Sequence, residues 1–336
     1  MGVFLPGSEM QEAQNKLEAF RLFAYVDQAL RFGTDRLSLA AMVAHAQALP
    51  CWQRIFALEG LAHYYTSGES TPTGLLADPD LPETAMVSMH AGMGTAFATA
   101  ALSRLGDTPS DAGLRRALDG FFELCHANSR SGWHENSIEP MGLVVRTLYP
   151  HLLTPVSKQF GEIDAALQRL FWHGVGRSLY FVPMNFIPLF GSHERALQAA
   201  IAEAPTLEDR HNALAGLTWA VTLVNVLHPG ILESFLRTCR PISSRGVMMP
   251  AAVTNGIASA LMVWKHMVPE NPESLAPYLK YASPRVPYSQ VWKDFVAVPT
   301  ATAFAEVFPA LAAPGVPGHP TVASLFQYRD MRVSSI

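Results

Sequence analysis

The stretch His173-Gly174-Val175-Gly176-Arg177-Ser178-Leu179-Tyr180-Phe181 sets the reading of this chain, and an earlier stretch, Glu59-Gly60-Leu61-Ala62-His63-Tyr64-Tyr65, resembles it. Aligning Gly60 with Gly174 places Glu59 over His173 and His63 over Arg177. In each copy a polar pair is spaced i, i+4 among small residues, and a helix puts such a pair on one face. Two helices of this kind, packed together through their glycines, would bring four ionisable groups to one buried point.

The likeness extends outward. His90-Ala91-Gly92-Met93-Gly94 follows the first copy, and Leu214-Ala215-Gly216-Leu217-Thr218-Trp219-Ala220 follows the second, each as a small-residue helix about one loop downstream. Small residues let helix backbones approach closely. The expected fold is all-α, a single helical domain over residues 1–268 made of two similar halves (20–128 and 138–268), followed by a Pro-rich wrapping tail over 269–336. Helical spacing predicts helices at 9–32, 36–48, 50–67, 83–105, 110–127, 141–149, 160–181, 192–204, 208–227, 230–239 and 254–267, with short tail helices at 289–297 and 301–312. Residues 68–82 and 128–139 read as loops, and alternating strand patterns are almost lacking.

Composition narrows the classes. Of 336 residues, 49% are apolar and 15% charged, against about 25% charge in an average soluble domain, so much of the surface is hidden in a core or a contact. The net charge of -4 with scattered Lys and Arg argues against a nucleic-acid partner. Cys51, Cys125 and Cys239 form no metal or disulfide pattern, which suits a reducing cytoplasm. Met1 to Met10 lack a basic start, so no secretory signal is expected. Gly246 to Trp264 is uncharged over a membrane-spanning length, but Pro250, Thr254, Asn255, Gly256 and Ser259 make it a buried helix rather than a stable membrane insertion.

Eight residues stand out as chemistry-bearing: Glu59, His63, His90, His134, Glu135, His173, Arg177 and Ser178. Glu59 and Arg177 read either as a structural ion pair joining the halves, or as a proton-transfer carboxylate with a guanidinium that holds an anionic or carbonyl oxygen. His134 and Glu135, after Gly132-Trp133, either cap a helix or form an acid/base pair over a pocket. His90 is a ligand group or a core histidine bonded to a backbone carbonyl. Ser178 lacks a nucleophile elbow and reads as a packing residue. Trp172, Phe181, Met184, Phe186, Phe190, Met248, Met249 and Met262 would suit an apolar cavity, or ordinary core.

Taken in order, Glu59-Gly60, His90-Ala91-Gly92-Met93-Gly94, Gly132-Trp133-His134-Glu135 and Gly174-Val175-Gly176-Arg177-Ser178-Leu179-Tyr180-Phe181 resemble the UnbL-type family, bacterial proteins encoded beside enediyne polyketide synthases. The resemblance spans about residues 30–265. Trp133 stands where that family tends to have Phe, and Tyr180 where it has Trp. It implies a cytoplasmic accessory protein of polyketide or related natural-product assembly, and no particular reaction.

The expected function is a tailoring enzyme that rearranges or cyclises a hydrophobic unsaturated intermediate by acid/base chemistry. Its catalytic groups would be Glu59, His134 or Glu135, His173 and Arg177, with His63, His90, Trp133, Ser178 and Tyr180 binding substrate and no cofactor or metal required. A carrier protein and a second copy of the chain are the further partners this reading admits. Two alternatives stay open: a metal-dependent oxygenase or hydrolase using His63, His90, His134 and His173, and a non-catalytic hydrophobic-ligand or carrier-docking protein.

Overall fold

The structure, a computed structural model, describes residues 6–32, 37–68, 73–186, 191–243, 250–280 and 286–311. The described residues are all-α, with no strand among them. The first half comprises α1 (Pro6–Ala24), α2 (Val26–Ala29), α3 (Leu39–Gln47), α4 (Cys51–Thr66), α5 (Met86–Leu102) and α6 (Asp111–Asn128). A short α7 (His134–Ile138) leads into α8 (Pro140–Leu148), α9 (Leu153–Ile163) and α10 (Ala165–Phe181). Then come α11 (Pro183–Phe186), α12 (Ser192–Glu203), α13 (Leu207–Val224), α14 (Pro229–Ser243) and α15 (Pro250–Met267). The C-terminal part holds α16 (Ala276–Lys280), α17 (Val286–Trp292), α18 (Val298–Thr302) and α19 (Phe308–Leu311), with π-turns at Lys293–Ala297 and Ala303–Val307.

Local chemistry explains the boundaries. Ser110 accepts from Gly113 N–H to start α6, and Asp164 accepts from Ala166 N–H to start α10. Thr206 and Asp209 form a reciprocal capping box at α13. The Asp164 cap also divides the helix expected over 160–181 into α9 and α10. The loop expected over 128–139 contains α7, entered through Gly132, whose φ of 82° turns the chain where a side chain would strain it.

Helices α5, α10, α13 and α15 form the centre, and each is buried along most of its length. The stretch expected as a buried helix near Thr254 is α15, and residues 244–249 before it lie outside the described set. No helix among the described residues is long and apolar enough to cross a membrane. Outer helices show one apolar face: α6 buries Leu114, Leu118, Phe121 and Cys125, and its Arg115, Arg116, Asp119 and Glu123 are exposed. In the tail, Tyr278 and Trp292 stack with centroids 6.0 Å apart, and residues 281–285 and 312–336 lie outside the described set.

Backbone approach at glycines sets the central geometry. A Cβ on Gly92 would stand 1.9 Å from the Glu59 carbonyl oxygen, and one on Gly216 would stand 1.9 Å from that of His173. The pairs α4–α5 and α10–α13 therefore share one contact, in which the carbonyl preceding the motif glycine rests on a glycine of the neighbouring helix. The expectation that α4 and α10 pack on each other through their glycines does not hold. Gly60 faces the backbone of Leu22 and Phe23 in α1, while Gly174 faces Glu139 and Gly176 faces Ala213. Each helix spends its glycines on other neighbours, which leaves room between the two.

Gly92→Ala should lower the unfolding free energy by about 3 kcal/mol, because α4 and α5 must separate to admit the methyl group. Gly120→Ala, where a Cβ meets nothing within 4 Å, should raise it by roughly 0.5–1 kcal/mol. Denaturant unfolding of both variants checks the contrast.

Candidate functional site

A cavity of about 770 Å³ opens between α4 and α10, walled also by α1, α5, α8, α11 and α13. That volume lies well inside the roughly 300–1,000 Å³ range of small-molecule pockets. Its lining is mainly aliphatic and aromatic, including Leu17, Phe20, Phe23, Phe56, Phe181 and Phe186. The mouth is apolar and exposed, with Leu17 at 56%, Phe20 at 49% and Leu148 at 56% of full exposure, while Arg177 at 6% lies deep.

The ionisable lining groups are Glu59, His63 and Arg177. Arg177 Nη1 donates to Glu139 Oε2 at 2.7 Å, and Nη2 reaches Glu59 Oε1 at 3.4 Å. The guanidinium lies over the Trp219 ring, 4.8 Å from its centroid. His173 Nδ1 is 2.8 Å from the other Glu139 oxygen. Gly174 makes this possible: a Cβ there would stand 2.2 Å from the Glu139 carbonyl, so only glycine lets α10 approach close enough.

The two carboxylates are driven apart. Burial works to raise Glu139, but Arg177 and His173 outweigh it and hold Glu139 below the ordinary carboxylate value. Burial raises Glu59 and the Glu139 charge adds to the rise, with Arg177 only partly opposing. Burial also holds His173 below the usual imidazole value against the pull of Glu139, so its Nδ1–H donates to a fixed carboxylate. Burial would lower Arg177, yet Glu139 and Glu59 raise it, and it stays charged. His63, lowered by burial, is neutral near pH 7, with its ring centroid 5.1 Å from that of Phe23.

Glu59, His63, Arg177 and Ser178 thus meet at one cavity, with His173 one layer behind. The Ser178 hydroxyl is turned back to the Val175 carbonyl at 2.6 Å. The other sequence candidates lie elsewhere. His90 is fully buried, its Nδ1 2.8 Å from the Met86 carbonyl and its Nε2 accepting from Arg130 N–H, and burial pushes it down to about 3. That is the core-histidine arrangement, outside the cavity lining. Trp133 stacks on His90, His134 is exposed beside His126, and Glu135 is half-buried, none of them lining the cavity. One helical turn beyond Glu135, the α7–α8 junction delivers Glu139 to the site instead. Tyr180 donates to Glu12 and accepts from Asn225, away from the lining. Of the apolar candidates, Phe181 and Phe186 line the cavity, Trp172 and Met262 are core, and Met184 is 75% exposed. Phe190, Met248 and Met249 lie outside the described residues.

Sequence reasoning missed Glu139 and Trp219. Glu139 precedes Pro140, and a carboxylate just before a first-turn proline is a helix-start signal that marks it as ordered. Trp219 sits in the small-residue helix after the second motif, where its ring can face Arg177. Among the described residues no three His, Cys, Asp or Glu side chains gather as metal ligands, and His63, His90, His134 and His173 are dispersed. Comparison of the chain with protein-family models, with curated proteins and with solved structures finds no match.

Glu139→Ala should cost about 3–5 kcal/mol of stability, since it strands the Arg177 charge in a buried place. The raised Glu59 carboxyl has the opposite sign to a stabilising ion pair. Between its unfolded value of 4.5 and its folded value the native state binds more protons, so stability falls as pH rises through that window. Glu59→Gln should flatten this decline and raise the melting temperature at neutral pH, as thermal unfolding from pH 4 upward would measure.

Proposed function

We propose that this protein is a tailoring enzyme of natural-product biosynthesis that rearranges or cyclises a hydrophobic, unsaturated intermediate by acid/base chemistry in the α4–α10 cavity. The observation that carries the reading is the pair Glu59 and Glu139, whose surroundings push their proton affinities in opposite directions around one guanidinium. Such a split assigns roles. Glu139 is the permanent counter-charge of Arg177, and Glu59 is the group whose ionised form its surroundings penalise. Glu59 takes the proton-transfer role, and Arg177 steadies charge that develops on a substrate oxygen. His173 orients Glu139, and His63 is a second neutral base on the same wall.

The natural-product setting rests on the motif resemblance alone. The chemistry rests on the cavity. A passive carrier needs an apolar chamber, and inward-facing Glu59, His63 and Arg177 would only cost it desolvation. An oxygenase or hydrolase built on the four histidines needs them at one point, and they are far from that arrangement.

Untargeted mass spectrometry of a gene-deletion strain should reveal an accumulating intermediate, which the purified protein should convert to a product of the same mass or one differing by water. Glu59→Gln should reduce that conversion by about 10²–10⁴-fold, while His134→Ala and Glu135→Ala should leave it near wild type. A product that has gained oxygen, or full turnover by Glu59→Gln, would defeat the proposal.

A further inference from the structure

Charge balance and donor geometry at Arg177 narrow the kind of molecule the cavity takes; the argument assumes that this cavity is the reaction site. Arg177 Nη1 is committed to Glu139, Nη2 makes only a long contact with Glu59, and Nε is buried with no hydrogen-bond partner. Nε is closed off from the cavity by its burial, and Nη2, held only by the long contact to Glu59, is the weakly used donor of a side chain that lines the cavity. A buried, unused N–H of a charged group is costly unless something accepts from it.

The accepting group must suit the local charge. With Glu59 ionised, the cluster Arg177, Glu139 and Glu59 carries a net -1, and with Glu59 protonated it carries zero. His173 and His63 are neutral and add nothing. In neither state is there surplus positive charge for an anion entering a desolvated chamber. A neutral carbonyl oxygen needs only a donor.

Around that point the wall is effectively apolar. Thr95 donates its hydroxyl to the Ala91 carbonyl at 2.9 Å, and Thr99 donates to Thr95 O at 2.8 Å, so both present methyl groups. The polar lining is then Arg177, Glu59 and the neutral His63 one turn further along α4, with Thr147 at the exposed rim, and the apolar surface runs from there to the mouth at Leu17, Phe20 and Leu148.

We infer that the substrate is a long apolar molecule bearing a neutral carbonyl (a ketone, ester or thioester), whose oxygen accepts from Arg177 Nη2, beside Glu59, while the chain extends toward the mouth. The reaction this placement serves is enolisation. A C–H bond beside the carbonyl breaks, the proton goes to a Glu59 carboxylate oxygen, the C–H pair becomes a C=C bond, and the C=O π pair moves onto oxygen, where Arg177 holds the enolate. Return of the same proton to another carbon gives an isomer, with no oxidant or reductant consumed.

The test uses displacement of N-phenyl-1-naphthylamine, a neutral apolar fluorophore, from the full chain by 2-undecanone, undecane and undecanoate at pH 8. The ketone should bind at least tenfold tighter than the alkane, the worth of one hydrogen bond to a charged donor, and tighter than the carboxylate. Arg177→Lys, which keeps a cation beside Glu139 but removes the second donor, should erase the preference for the ketone. Thr99→Trp, which fills the cavity, should weaken all three ligands. Equal binding of ketone and alkane, or tighter binding of undecanoate, would overturn the carbonyl assignment while leaving the cavity as the site. Fluorophore binding unaffected by Thr99→Trp would overturn both.

Discussion

Three contacts between a backbone carbonyl and a glycine on a neighbouring helix hold this site together. The carbonyls of Glu59, Glu139 and His173 rest on Gly92, Gly174 and Gly216, each at a separation that any Cβ would violate. All three carbonyls belong to residues of the cluster around Arg177, two carboxylates and the neutral His173. The same close approach that fixes helix position therefore fixes where each ionisable side chain starts. A charge cluster in a low-dielectric interior depends steeply on separation, and hinged or loop-borne side chains would not hold it. Placing the groups at rigid helix–helix contacts gives the precision that preorganised electrostatics require.

The electrostatic consequence follows from counting. One guanidinium faces two carboxylates, and only one of them can be fully compensated. Glu139 wins in spite of its full burial, because it makes the short bond to Nη1 and receives a second donor from His173. Glu59 is left with the long contact and with a like charge beyond it. The asymmetry is built by geometry, since the two side chains are chemically the same. A structural salt bridge would be better served by one carboxylate. The extra one raises the energy of the ionised state, and the proposed proton-transfer role draws on that feature.

Much of the fold was legible because its period was. Helical spacing placed α4, α5, α6, α12, α13 and α15 close to their observed limits, and the two glycine motifs marked the helices that carry the cluster. The meeting of Glu59 with Arg177 was also readable from their shared pattern. What escaped reading was how the helices divide their partners. Glycine spacing shows that a close contact exists but not with which helix, so a direct α4–α10 contact was expected where the cavity lies. The same limit hid Glu139. In a polar run such as Asn128–Glu139, the inward residue is chosen by the angle at which α7 enters α8, and that angle is a tertiary property. His134 and Glu135 carry more obvious chemistry, yet the chain turns them outward by one helical turn. His90 shows the converse, since a histidine in a glycine-rich helix can be fully satisfied by the Met86 and Arg130 backbone.

An apolar chamber of this size needs something to keep it from collapsing, and a second buried polar cluster supplies it. Lys16 and Glu12 on α1 pair at 3.1 Å, and Lys16 also donates to the Asn185 carbonyl and lies 3.7 Å over the Tyr180 ring. Glu12 accepts from Tyr180 and contacts His193, while Asn15 donates to Asn225. Burial opposes ionisation of Glu12, yet His193, Lys16 and Tyr180 hold it at about 2. These groups pin α1 to α10, α11, α12 and the end of α13 in one register, because a shift of one residue would strand a buried charge. The next turns of α1 carry Leu17, Phe20 and Phe23, which form the cavity wall. Hydrophobic contact alone would let these side chains slide inward to fill the space, since it is non-directional. The directional polar lock of Glu12, Lys16, Asn15 and their partners prevents the slide.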